Sequence, residues 1–181
     1  HPAFRNADGT TRIVGIWDQT VEDGTPPNGM VYGAFYGEEQ INEALRSERP
    51  REIVPEQDEN GHGTFLAGVA CGSTDGTADF SGAAPLAQIA VVKCKQAKLY
   101  LRDYYFIPQG QECYQENDLM MGISWLNRFA YERRMPLVLC VGMGSGLGNH
   151  VGDEPLAIQC DEFGRRRQRA VVVAAGNAAN Q

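Results

Sequence analysis

His62 lies between two glycines in Glu59-Asn60-Gly61-His62-Gly63-Thr64, directly ahead of a small-residue apolar run, Phe65-Leu66-Ala67-Gly68. An imidazole titrates near neutrality, so it can take and return a proton within one reaction cycle. The flanking glycines permit tight backbone geometry, and Thr64 can help cap the helix that the apolar run predicts. Asp18 ends an apolar run at residues 13–17, and Asn177 follows Ala174-Ala175-Gly176. A carboxylate, an imidazole and a carboxamide are three of the groups that acyl transfer uses: an orienting acid, a general base and an oxyanion donor. Each also has a plainer reading. A strand-end aspartate caps turns, a histidine at a helix start can be structural, and asparagine after glycine is a common turn residue.

The nucleophile is the missing member. The serines are Ser47, Ser73, Ser81, Ser124 and Ser145. Ser145 sits among glycines, but a G-x-S-x-G elbow would need glycine at 143 and 147, which are Met143 and Leu147. Ser145 therefore reads as a turn residue. His1, His62 and His150 share no metal-ligand spacing, so no metal and no cofactor is expected. The glycines at 142–148 do not form G-x-G-x-x-G leading into a helix, which leaves a nucleotide-binding domain little support.

The elements that must position these groups follow from periodicity. Residues 13–17 read as a buried strand ending at Asp18, and residues 20–58 as polar, Gly- and Pro-rich chain with a short helix at 38–47. A helix at 62–71 and a strand at 88–94 come next, then an aromatic, irregular segment at 99–115. Asn117 or Asp118 can N-cap a helix running through Arg134. Pro136 opens a strand at 137–141, a glycine-rich loop follows, then a helix at 155–167 and a strand at 170–175. Strands alternating with helices imply an α/β fold with a mostly parallel sheet covered by helices on both faces. Function in such sheets gathers at the carboxyl ends of strands, where Asp18, Gly142–Gly144 and Asn177 all fall.

Composition bounds the partners. With 181 residues, 43% of them hydrophobic, the chain can build one domain or part of one. Its 16 Lys+Arg against 23 Asp+Glu give −7, which argues against binding nucleic acid. The run Arg165-Arg166-Arg167 with Arg169 reads as the solvated end of a helix. Cys71, Cys94, Cys113, Cys140 and Cys160 are odd in number and well separated, which fits no disulfide framework. Cys71, Cys94 and Cys140 lie in apolar segments and are expected to be small buried thiols. No run reaches the length of a membrane span, no signal peptide is visible, and a start at His1 suggests a processed or excised piece.

Strand-Asp, then Gly-His-Gly-Thr opening a helix, then Ala-Ala-Gly-Asn after a strand, resembles the subtilisin-like serine protease (subtilase) family, from Arg12 to Asn177. Ser81-Gly82-Ala83-Ala84-Pro85 and residues 87–93 match further. Trp17-Asp18-Gln19-Thr20 and Leu101-Arg102-Asp103-Tyr104-Tyr105 look similar to the clostridial Csp-type branch, which is associated with spore germination. The resemblance implies a subtilisin-like three-layer fold, incomplete at the C-terminus, with residues 1–181 as the N-terminal portion of one catalytic domain. It makes Asp18 the orienting acid, His62 the general base and Asn177 the oxyanion donor. In subtilisin itself that last contact is worth about 3–4 kcal/mol.

Gly142-Met143-Gly144 stands where the family carries Ser-Leu-Gly and would pair with an extended polypeptide substrate, while Ala175-Gly176 would line the first specificity pocket. Gly142 and Gln19 depart from the family's pattern. The nucleophilic serine and the remaining C-terminal part of the domain are expected beyond Gln181, so this chain alone is expected to be inactive. An extracellular or spore-associated setting follows from resemblance alone. The rival reading is a pseudoprotease, a subtilase-fold module used for binding or signalling in spore germination.

Overall fold

Ile13, Val14, Ile16 and Trp17 leave no polar face for solvent, and they form β1 (Ile13–Asp18), buried from Val14 to its end. The computed structural model describes residues 1–74, 80–144 and 151–176. Its contacts separate two compact units, His1–Lys93 and Cys94–Gln181.

In the first unit β1 is the middle strand of three. On one side β2 (Ala34–Gly37) pairs with it antiparallel, from Asp18↔Ala34 to Gly15↔Gly37. On the other, β3 (Ile89–Lys93) pairs parallel and sets Lys93 beside Asp18. Among the described residues, the α-helices of this unit are α1 (Glu38–Arg46), α2 (Pro50–Ile53) and α3 (His62–Cys71). Helix α1 places Ile41 in a core with Ile16, Ala34 and Tyr36, flanked by Ile13, Val21, Val54 and Val91. Because side chains alternate along a strand, Trp17 points to the opposite face from Ile16. It is fully buried, and its indole N–H donates to the Tyr32 carbonyl at 3.0 Å.

The second unit holds α4 (Leu99–Tyr104), α5 (Glu116–Glu132), β4 (Leu137–Val141), α6 (Pro155–Gly164) and β5 (Arg169–Val173). Strands β4 and β5 are parallel, in register from Leu137↔Arg169 to Val141↔Val173. Ile123 of α5 and Phe163 of α6 close over Leu139, with Leu126, Leu156, Cys160 and Val171 around them. The opposite face, bearing Val138, Cys140 and Val172, is exposed.

Several expectations shift. The three-stranded sheet is mixed, because the polar stretch before α1 contains β2 and returns antiparallel along β1. The aromatic segment after Lys98 is not wholly irregular but includes α4. Helix α5 begins after Gln115, with no side-chain cap; Asp118 is buried against Lys95 at 3.2 Å instead of capping the helix. Helix α6 stops at Gly164, and Arg169 opens β5, where its guanidinium donates to Asn127 Oδ1 at 3.0 Å and the Met135 carbonyl at 3.1 Å. None of the five cysteines forms a disulfide, and Cys140 is exposed because it lies on the open face of β4. Burial pushes the Cys94 thiol up to about 11, with the Asp118 charge adding to the effect.

Arg12 fastens the first unit. Its buried guanidinium donates to the carbonyls of Ala87 (2.7 Å), Ala3 (2.7 Å) and Cys71 (2.6 Å), joining the N-terminus, the end of α3 and the approach to β3. Arg12→Met should lower folding stability by about 2–5 kcal/mol, since it strands the Ala87 and Cys71 carbonyls, while the Ala3 carbonyl keeps the Ser73 N–H and hydroxyl. Arg12→Lys should rescue little of this, because one ammonium lacks the planar fork that spans three acceptors. Urea denaturation followed by circular dichroism would measure both variants; a loss below about 1 kcal/mol in Arg12→Met would contradict the assignment.

Candidate active site

Asp18 is the last residue of β1 and only 5% exposed. A carboxylate withdrawn from water needs donors, and Thr20 provides two: its backbone N–H reaches Oδ1 at 2.7 Å and its hydroxyl at 2.6 Å. Oδ2 is thereby left to other partners, and the Lys93 ammonium stands 3.9 Å from it. Gln19 N–H donates to the Lys93 carbonyl at 2.9 Å, extending the β1–β3 pairing one step past Asp18.

Glu56 completes the cluster. Lys93 Nζ lies 2.7 Å from Glu56 Oε1 and donates to the Gln57 carbonyl at 3.0 Å. Burial pushes the Glu56 carboxyl up; the hydrogen bond from Lys93 opposes that shift, and the Asp18 carboxyl adds to it. Lys93 is raised overall: burial acts to lower it, but the bond to Glu56 and the charges of Glu56, Asp18 and Glu59 outweigh that. The Tyr36 hydroxyl is raised too, by burial first and then by Asp18 and Glu56.

His62 is the first residue of α3 and is exposed. Gly61, the N-cap, has φ 79°, a left-handed conformation that a β-carbon would strain, and this turns the chain sharply into the helix. The cap itself comes from upstream. Asp58 accepts from Gly61 N–H (2.9 Å) through Oδ1 and from Thr64 N–H (2.9 Å) and Thr64 hydroxyl (2.6 Å) through Oδ2. Asn60 Oδ1 accepts from His62 N–H at 2.9 Å. Thr64 thus takes part in capping by donating to Asp58.

In the second unit, Gly142, Met143 and Gly144 follow β4, while Ala175 and Gly176 lie just past β5. Ala174 N–H donates to the Val141 carbonyl at 3.0 Å and continues the strand pairing into these segments. They approach so closely that a β-carbon on Gly144 would sit 2.7 Å from Gly176 Cα. The five candidate substrate-lining residues therefore cluster at the carboxyl ends of two adjacent strands. Asn177, Ser145 and His150 lie outside the described residues. Among the described residues, no group of three or more His, Cys, Asp or Glu could hold a metal ion, and no helix is long and apolar enough to cross a membrane.

The profile of the subtilase family matches residues 9–181. The chain belongs to the subtilase family. Among solved structures it is similar to the CspB protease of Clostridium perfringens, with a TM-score of 0.80 and 33% identity. That match covers 99% of this chain and 34% of the other, so the chain spans about a third of that protein's length. No curated protein matches.

The sequence of this subtilase singles out Asp18 and His62 as candidates but not Thr20, Glu56, Asp58, Asn60 and Lys93, which surround them in the structure. Asp58 left a trace, as a short polar acid ahead of a glycine and a helix start. Lys93 left none, because its place beside Asp18 depends on the parallel register of two distant strands.

Asp58→Ala should destabilise α3 by about 1 kcal/mol, the usual worth of a helix cap. The hydrogen bonds from the Thr64 hydroxyl and N–H hold the Asp58 carboxyl below its usual value of 3.8. A depressed folded value means that the stabilisation is present above the ordinary carboxylate range and is lost as pH falls through the folded value. Urea titrations of wild type and variant should therefore differ at neutral pH and converge only below that range; curves that coincide at neutral pH would contradict the capping role.

Proposed function

We propose that residues 1–181 are the N-terminal portion of a single subtilase catalytic domain, a serine endopeptidase whose nucleophilic serine lies downstream of Gln181. The observation that carries this reading is the state of Asp18: a buried carboxylate at the end of a central strand, held on one oxygen by two hydrogen bonds from Thr20, with the other facing the Lys93 ammonium at 3.9 Å. An orienting acid for a histidine needs to be held immobile in this way. The rigidly capped start of α3, which carries His62, supports the same conclusion.

In this mechanism Asp18 selects the productive tautomer of His62 and stabilises its imidazolium. His62 takes the proton from the serine hydroxyl as the serine oxygen attacks the peptide carbonyl. It then gives that proton to the departing amine, and a water molecule repeats the cycle on the acyl-enzyme. Asn177 donates its side-chain amide to the tetrahedral oxyanion. Gly142, Met143 and Gly144 pair with the extended polypeptide, and Ala175 and Gly176 line the first specificity pocket.

The remainder of the domain completes a mostly parallel sheet with helices on both faces. Exposed apolar residues support this: Phe65 and Val69 on α3, Leu86, and the open face of β4 and β5, where Val138 is 66% exposed. Surfaces of that kind mark contacts still to be made.

The isolated 181-residue chain should show no serine-peptidase turnover and should self-associate in light scattering. The encoded protein, extended past Gln181, should hydrolyse peptides, with kcat falling about six orders of magnitude in His62→Ala, as in subtilisin, and about four in Asp18→Asn, as for the same change in a chymotrypsin-type triad. Hydrolysis by the isolated chain that His62→Ala and a fluorophosphonate both abolish would overturn this reading. An inert extended protein would favour the pseudoprotease instead.

A further inference from the structure

Lys93 is the cation at the junction between the two elements that carry the base machinery. The β3–β1 register sets it beside Asp18, and its ammonium lies 3.9 Å from Asp18 Oδ2. The same ammonium is 2.7 Å from Glu56 Oε1 and donates to the Gln57 carbonyl at 3.0 Å. Glu56 and Gln57 directly precede Asp58 and Asn60, the residues that cap α3 and fix the backbone at His62. One side chain therefore joins the strand end that carries Asp18 to the segment that aims His62.

Glu56 explains why a cation is needed there. Its Oε2 is buried with no hydrogen-bond partner among the described residues, and burial together with the Asp18 charge pushes its carboxyl up. Two adjoining carboxylates with little water repel each other and would drive the upstream segment off the strand unless a positive charge held both. Among the described residues, the ionisable groups facing Lys93 are Asp18, Glu56, Glu59 and the Tyr36 hydroxyl, negative or neutral neighbours that its charge offsets.

We propose that Lys93 is a positioning residue for the general base: by clamping Glu56 and Gln57 against the end of β1, it fixes the spacing between the Asp18 carboxylate and the His62 imidazole. This rests on the reading that Asp18 and His62 act together. Lys93 does not touch the substrate; it acts through those two side chains.

The test uses the encoded protein extended past Gln181, with isotope-labelled histidine. A low-field imidazole N–H proton, assigned to His62 by its loss in His62→Gln, reports the bond to Asp18 and does not depend on turnover. Wild type should show it, and Asp18→Asn should abolish it. Lys93→Met should broaden or abolish it and lower kcat about tenfold or more, with KM within about twofold, because a small misplacement of reacting groups costs rate more than binding. Lys93→Arg, which can reach both acceptors, should restore signal and rate in large part. If Lys93→Met does not fold by circular dichroism, Lys93→Gln serves in its place with the same expectation.

A folded Lys93→Met or Lys93→Gln protein with the His62 signal and kcat of wild type would overturn the proposal. If Asp18→Asn leaves the signal intact, the Asp18–His62 pairing itself is wrong, and the Lys93 proposal falls with it.

Discussion

A carboxylate placed at the end of a buried strand constrains everything near it. Asp18 has almost no access to water, so each of its oxygens must find a donor or a cation within the protein. Thr20 satisfies Oδ1 from two positions along in the chain, which is a local solution. Oδ2 cannot be served locally, and it faces Lys93 from β3 with Glu56 close by. The strand order β2-β1-β3 matters because it is what brings that lysine alongside.

The same logic extends to His62. A helix start leaves N–H groups without partners, and here Asp58 and Asn60 accept from them before the helix begins. The segment that supplies these caps also supplies the Glu56 and Gln57 contacts to Lys93. Backbone geometry at the imidazole is thus coupled to the charge cluster at the strand end. A change in either would be felt by the other, although the two sit on different elements.

How far the sequence revealed this depends on the range of the interactions. The run at 13–17 was legible as β1 because a strand buried on both faces is apolar throughout. The spacing of Ile123, Leu126 and Ala130 showed α5 for a similarly local reason. Strand β2 was hidden: Ala34–Gly37 is short, sits among glycines and prolines, and exists through its pairing with β1. Cys140 read as buried because its neighbours are apolar, yet alternation places it on the open face of β4. Asp18 and His62 were recognisable as residue types in a familiar order, whereas Lys93 and Glu56 needed three-dimensional register. Asn177 was legible as a motif, though it lies outside the described residues.

In the proposed mechanism Asp18 and His62 form a base acting on a serine downstream of Gln181. Reaction of the encoded protein with a fluorophosphonate, followed by mass-spectrometric location of the adduct, tests this pairing. A single labelled serine C-terminal to Gln181 is expected, with labelling lost in His62→Ala. An adduct on a serine within residues 1–181, such as Ser145, or labelling that proceeds equally without His62, would contradict it.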